Sequence, residues 1–360
     1  MSSPLPVENL KPTDPQRLRS GPLAVAKFLI ETFSTIRQRE SPNPNKSSHI
    51  RLITIGVSHF CEKVRFALDL LEADTHNPWY YTEDAHPPGF HALETLKASH
   101  PQGISATPMI LFQEDGQPKM MYDSTNIMKK FLPQLYPEEI QAEVEQVERD
   151  LGQRLGATLR CLAYYHVLST VKENHDTLVQ LCANPNQVAY IESVVFDQFL
   201  ERGLATRMMK SMNITKESSE ASEVAVREVF AEWSKRLEET GGEYLLDTKH
   251  KSFGFTAADL TFAALSYPLL QPPELRDWCV SSDKVPAVLN ELKKELLATK
   301  AGQHALKIYK QHRVPDGGEF VTMKYADRSK SIGDWWKTLG IASAAVVVAI
   351  GIAASRISKS

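Results

Sequence analysis

The stretch "GVSHFCEKVRFALDLL", Gly56–Leu71, leaves an apolar strand and enters a helix, and that junction decides the fold. Before it, "IRLITIGV" (Ile50–Val57) is a β-branched apolar run of strand length. After it, Phe60, Val64, Ala67, Leu68 and Leu71 recur at helical spacing, which predicts a helix from about His59 to Glu72 with one apolar face. One hydroxyl, Ser58, and one thiol, Cys61, stand at the turn between the two. Serine ahead of a helix suits an N-cap. A lone cysteine one turn inside suits a small buried hydrophobe. Both also lie where the positive end of a helix favours an anion.

Outward from this unit, "NPWYYTE" (Asn77–Glu83) reads as a second strand and "GFHALETLKAS" (Gly89–Ser99) as a short helix. "PMILFQEDGQPKMMYDS" (Pro108–Ser124) reads as a hairpin about a Glu-Asp-Gly turn, and "STNIMKKFLPQLY" (Ser124–Tyr136) as a helix. The order is β-α-β-α-β-β-α. From Pro137 the pattern is helical, in segments at Pro137–Ser169, Gln187–Met212, Ser219–Thr240, Phe255–Leu270 and Val285–Arg313. Thr256 and Asp259 are spaced as a capping box, with Phe255 and Leu260 at the staple positions, a folding device without a catalytic role. His76, His86, His91 and His100 show no metal-ligand spacing and read as solvated, as does the acidic run Glu143, Glu145 and Glu148. Tyr164 and Tyr165 suit either an acceptor pocket or the core.

Composition narrows the classes. Of the 360 residues, 42% are hydrophobic and 24% charged, enough for a sizeable core and two domains. A formal charge of −3, with no basic stripe, gives nothing to draw nucleic acid. The four cysteines (Cys61, Cys161, Cys182, Cys279) are scattered without metal spacing, which fits a reducing compartment.

Both ends depart from the globular pattern. Residues 1–49 carry seven prolines and read as an extension holding one short helix, Pro22–Arg37, docked on the main body. Thr338–Ser355 is a run of uncharged residues; as a helix it spans about 27 Å, close to the thickness of a bilayer core. Trp335 and Trp336 precede it at the place of interfacial aromatics, with Lys337 before and Arg356 and Lys359 after. These features predict a single-pass C-terminal anchor, inserted after translation, with residues 314–337 as linker and the globular part in the cytosol. The alanine-rich span and basic tail favour a mitochondrial outer or plastid envelope membrane.

The domain order and four local patterns resemble the glutathione S-transferase superfamily over roughly residues 50–313. The patterns are "SHFCEKVRFAL", Thr107-Pro108, Asp123-Ser124 and "TAADL" (Thr256–Leu260). The resemblance implies a thioredoxin-like domain over 50–136, a helical domain over 137–313 and, with the tail, a transmembrane helix over 338–355. It also implies glutathione as co-substrate and no other cofactor, no metal, an unidentified electrophile, and a second copy of the chain as candidate partner. By the same resemblance Ser58 is the catalytic residue, with Cys61 the alternative. A cis Thr107–Pro108 bond would present its backbone to the cysteinyl part of glutathione, and Asp123 with Ser124 would hold the γ-glutamyl end. One position departs from the family: Ala106 stands where a lysine often serves the glycine carboxylate, and Lys97, His91 or His59 would have to substitute. Two further readings therefore stand beside a membrane-anchored transferase: a non-catalytic adaptor on an organelle membrane, and a glutaredoxin-like thioltransferase using Cys61.

Overall fold

The computed structural model describes residues 46–184, 187–279 and 282–313. The extension helix Pro22–Arg37, the linker and the Thr338–Ser355 span lie outside the described residues. Among the described residues no helix is long and apolar enough to cross a membrane.

The first half is a thioredoxin-like layer of four strands. In chain order it runs β1 (Ser48–Ile55), α1 (His59–Ala73), β2 (Trp79–His86), α2 (His91–Ala98), β3 (Met109–Glu114), β4 (Gln117–Tyr122) and α3 (Ser124–Phe131). The sheet order is β2-β1-β3-β4, with β1 parallel to β2 and antiparallel to β3. Leu52, Ile53 and Thr54 are all fully buried, so neighbouring side chains on opposite faces of β1 are both covered. That is why the β1 sequence is a continuous apolar run rather than an alternating one. The hairpin turns through Asp115 and Gly116, both at positive φ, as a tight two-residue loop requires.

β2 runs to His86, three residues past the end expected at Glu83. Its polar C-terminal half is buried, which sequence polarity argues against, because each charge finds a partner there: Glu83 with Arg65 and Asp84 with Arg51. His86 is likewise not solvated. Its Nδ1 lies 2.9 Å from Glu192 of the helical domain.

The second half is helical: α4 (Gln141–Leu151), α5 (Ala157–Leu168), α6 (His175–Ala183), α7 (Tyr190–Phe199), α8 (Ala205–Ser211), α9 (Lys216–Thr240), α10 (Ala257–Leu270), α11 (Ala287–Leu297) and α12 (Lys300–Ile308). α4 and α5 form one rod interrupted by a π-helical turn, Gly152–Gly156. The expected helix over Gln187–Met212 breaks at Gly203, whose φ of 125° suits glycine. α10 is buried almost throughout and packs on α1, so it is the central post between the halves. Its capping box forms as expected. Asp259 also accepts from Leu245 N at 2.8 Å and faces His304 Nε2 at 3.0 Å, tying a loop and α12 to the start of α10.

α11 and α12 meet at Gly302. A Cβ there would lie 2.0 Å from the Leu296 backbone oxygen. Helix propensity alone favours Gly→Ala by about 1 kcal/mol. The clash with immobile backbone outweighs it, so Gly302→Ala is expected to destabilise by about 1–3 kcal/mol. A denaturation midpoint equal to or above that of the parent would refute the close packing.

Candidate functional site

Strand register gathers the sequence-predicted residues at one end of the sheet. Ile53 pairs with Met109, and Met109 with Tyr122. The residues just beyond those positions are Gly56–Ser58, Thr107–Pro108 and Asp123–Ser124. They therefore lie side by side where β1 and β4 end and β3 begins. Thr256 and Asp259 belong to the base of α10 and are not part of this group.

Ser58 is the N-cap of α1 and is half-buried. Its Oγ accepts from Cys61 N at 3.4 Å and keeps its own hydrogen, which can turn toward the Cys61 sulfur or toward a ligand. The turn carrying Ser58 is held from both halves. Arg65 donates to the Gly56 carbonyl, and Tyr267 of α10 donates to the Val57 carbonyl at 2.6 Å. Ser58 N itself donates to Ile55 O at 2.9 Å.

Cys61 is fully buried. Burial pushes its thiol up, against the downward pull of Arg65 and the Ser58 hydroxyl. A thiol in that state is protonated at neutral pH and has no path to a substrate.

The Thr107–Pro108 bond is cis. Pro108 is buried, whereas Thr107 is half-exposed at the sheet margin. Asp123 is the N-cap of α3, at φ 74° and ψ 119°. Positive φ in a residue with a side chain costs about 1–3 kcal/mol and concentrates at functional sites. Its carboxylate offsets part of that cost by accepting from Thr125 N at 3.0 Å and Asn126 N at 3.1 Å. Ser124 is buried as the first residue of α3.

Of the side chains named in place of a lysine at Ala106, the two histidines lack the charge. His59 is buried, with Nε2 2.9 Å from Gly156 O, and burial with the nearby Arg160 charge lowers its pKa to about 3. His91 is lowered to about 4 by burial and by His86. Both rings are neutral at pH 7, so neither serves an anion as a cation. Gly156 lets α1 approach the π turn closely: a Cβ there would come 2.6 Å from the tip of the Phe60 ring, which would have to move aside.

Sequence reasoning missed the charged layer beneath this end of the sheet. Arg65 Nη1 donates to Glu62 at 2.7 Å and its Nε to Glu83 at 2.8 Å, with all three side chains almost wholly buried. Arg313, at the C-terminal end of the described helical half, reaches Glu62 at 3.1 Å and pairs with Asp69. Lys63 Nζ bridges Glu148 at 2.7 Å and Thr125 Oγ1 at 3.0 Å, joining α1, α3 and α4. Glu148 is therefore interior, not part of a solvated acidic face. Only the (i, i+3) spacing of Glu62 and Arg65 was readable as a signal.

Among the described residues no group of three or more His, Cys, Asp and Glu is placed to hold a metal ion. A shallow groove between α9 and α11 is lined by Glu223, Arg227, Val288 and Glu295, but its arginine is already paired with both glutamates.

No family model matches the chain, and no curated protein matches it. Solved structures do resemble it. One is a glutathione S-transferase from Pseudomonas fluorescens, 14% identical with a TM-score of 0.41, covering 74% of this chain and 98% of its own. Another is a possible glutathione S-transferase from Rhodopseudomonas palustris, 15% identical with a TM-score of 0.37, covering 73% and 94%. A third is a maleylacetoacetate isomerase from Anaeromyxobacter dehalogenans with bound glutathione, 16% identical with a TM-score of 0.32, covering 76% and 100%. At this identity and these scores, the neighbours assign no activity to this chain.

Proposed function

We propose that this chain is a glutathione transferase that adds the glutathione thiolate to an electrophile. The supporting observation is the contrast at the strand–helix junction: Ser58 is reachable with a hydroxyl hydrogen to donate, while Cys61, one turn on, is sealed and protonated. A free thiol of pKa about 8.5 is mostly protonated at pH 7. A hydroxyl donor together with a helix N-terminus would stabilise the thiolate. The sulfur then attacks an electrophilic carbon, a C–S bond forms, the leaving group departs with its electron pair, and the thiol proton passes to solvent. Thr107 would offer its backbone to the cysteinyl unit, and the α3 N-terminus with Asp123 and Ser124 would take the γ-glutamyl end. Burial of Cys61 argues against the thioltransferase reading.

A second reading, a non-catalytic adaptor, draws on two observations. Ala106 is exposed and brings no cation, and the Asp123 carboxylate is engaged in capping. Retention on glutathione-agarose followed by turnover of 1-chloro-2,4-dinitrobenzene separates the two. Retention with turnover is expected; retention or its loss without turnover would favour the adaptor.

The membrane part of the proposal rests on sequence. Thr338–Ser355 would anchor the protein, with the catalytic half in the cytosol, on a mitochondrial outer or plastid envelope membrane. The full chain is expected to resist extraction by alkaline carbonate, and a chain ending at Asp334 to be released. A truncated chain that still pellets with membranes would reject the anchor.

A further inference from the structure

The cations buried where the two halves meet are each paired: Lys63 with Glu148, Arg65 with Glu62 and Glu83, Arg313 with Glu62 and Asp69. Arg160 on α5 is the exception. It is half-buried, and among the described residues its guanidinium has no hydrogen-bond or ion-pair partner. A guanidinium partly withdrawn from water and without a protein partner keeps its fork of five donors open to an anion.

Its place on the helix says what that is. The Gly156 carbonyl touches His59, the residue next to Ser58. Arg160 and Tyr164 follow Gly156 at successive spacings of four, so all three lie along one side of the rod. Cys161, the next residue round, turns instead to α9, with Sγ 3.2 Å from Ser218 Oγ. Both side chains interact with the α1 end: the Arg160 charge acts on His59 and Tyr164, and Tyr164 is close enough to Cys61 and Cys182 for each to perturb it. The His59 ring is neutral and lies against Phe60 with centroids 4.7 Å apart. The result is one cation among aromatic rings, across from the Ser58 turn and on the helical half.

The geometry points to Arg160 as the anion anchor of the second-substrate site, with Tyr164 and Phe60 as its aromatic walls, selecting an aromatic electrophile that carries a carboxylate. This rests on the transferase reading for the word electrophile; the anion site itself does not. The planar fork of arginine matches a carboxylate with two parallel hydrogen bonds, which a lysine cannot copy. Glutathione also carries carboxylates, but its proposed seat is the Thr107 edge and the α3 N-terminus, on the other half.

The test uses the full chain and two unreactive probes, 3,5-dinitrobenzoate and its methyl ester, titrated calorimetrically at pH 7. The acid is expected to bind at least about tenfold more tightly than the ester. Arg160→Gln is expected to weaken the acid by on the order of tenfold to a hundredfold, while Arg160→Lys keeps part of the preference. Arg207→Gln, on the exposed side of α8, serves as the control and leaves acid binding unchanged. Equal acid affinity in parent and Arg160→Gln overturns the proposal, as does a parent without acid preference. So does an Arg160→Gln protein that loses glutathione and keeps dinitrobenzoate, which would assign the guanidinium to the thiol substrate. If dinitrobenzoate binding depends on Arg160 while 1-chloro-2,4-dinitrobenzene is never conjugated, the anion site stands and the transferase reading alone falls.

Discussion

Ser58→Ala lowers glutathione conjugation on the order of a hundredfold while leaving glutathione affinity largely intact. The expected size is that of removing one preorganised donor to a charge that the reaction must stabilise. Affinity survives because the backbone edge at Thr107 and the α3 terminus, not the hydroxyl, would hold the tripeptide. The same substitution removes an N-cap, worth about 1 kcal/mol. That loss is small here because the capping bond to Cys61 N is long, at 3.4 Å. Cys61→Ala provides the contrast. The thiol is fully buried, so its loss leaves a small cavity and costs stability, with little effect on turnover. Melting temperature and turnover are measured together on both variants. Turnover that follows melting temperature in both, or that collapses only in Cys61→Ala, would reject Ser58 as the donor.

The parts of this molecule written in local pattern were legible from sequence. The β1–α1 junction announces itself through β-branched residues giving way to a four-residue period, and the capping box at Thr256 and Asp259 through spacing alone. The cis bond at Thr107–Pro108 followed from the resemblance and is present. Non-local contacts were not legible. Glu83 and Asp84 look like the polar end of a strand until Arg65 and Arg51 are brought against them. His86 looks solvated until α7 supplies Glu192, from more than a hundred residues away. Glu148 sits in an acidic helix and gives no sign that Lys63 will cover it. Arg160 follows the same rule in reverse. Sequence shows a cation, and only the fold shows that no described residue pairs with it.

Arg65→Met should cost about 3–5 kcal/mol, the largest stability loss expected of any substitution near the site. The methionine fills most of the volume, so the cost is electrostatic rather than steric. Glu62 and Glu83 remain buried and charged; among the described residues Glu62 keeps Arg313, and Glu83 keeps Thr54, whose hydroxyl donates to it at 2.6 Å. Two carboxylates in that setting either pay for desolvation unpaired or take up protons, and both outcomes favour the unfolded chain. The double variant Arg65→Met with Glu83→Gln removes one stranded charge and is expected to recover part of the loss, since neutral groups of similar shape are cheaper to bury than an unpaired ion. Denaturant unfolding at pH 7 of parent, single and double variants reads this directly. A single-variant loss below about 1 kcal/mol would mean the layer is wet rather than buried. Turnover adds a second readout, because Arg65 also holds the Gly56 carbonyl two residues before Ser58. With that carbonyl released, the Ser58 turn loses its side-chain tie to α1 and keeps the Tyr267 bond and its local backbone bonds, and conjugation by the folded fraction of the double variant should stay depressed even where stability returns. Full recovery of turnover with stability would show that the arginine supports the fold alone and does not position the serine.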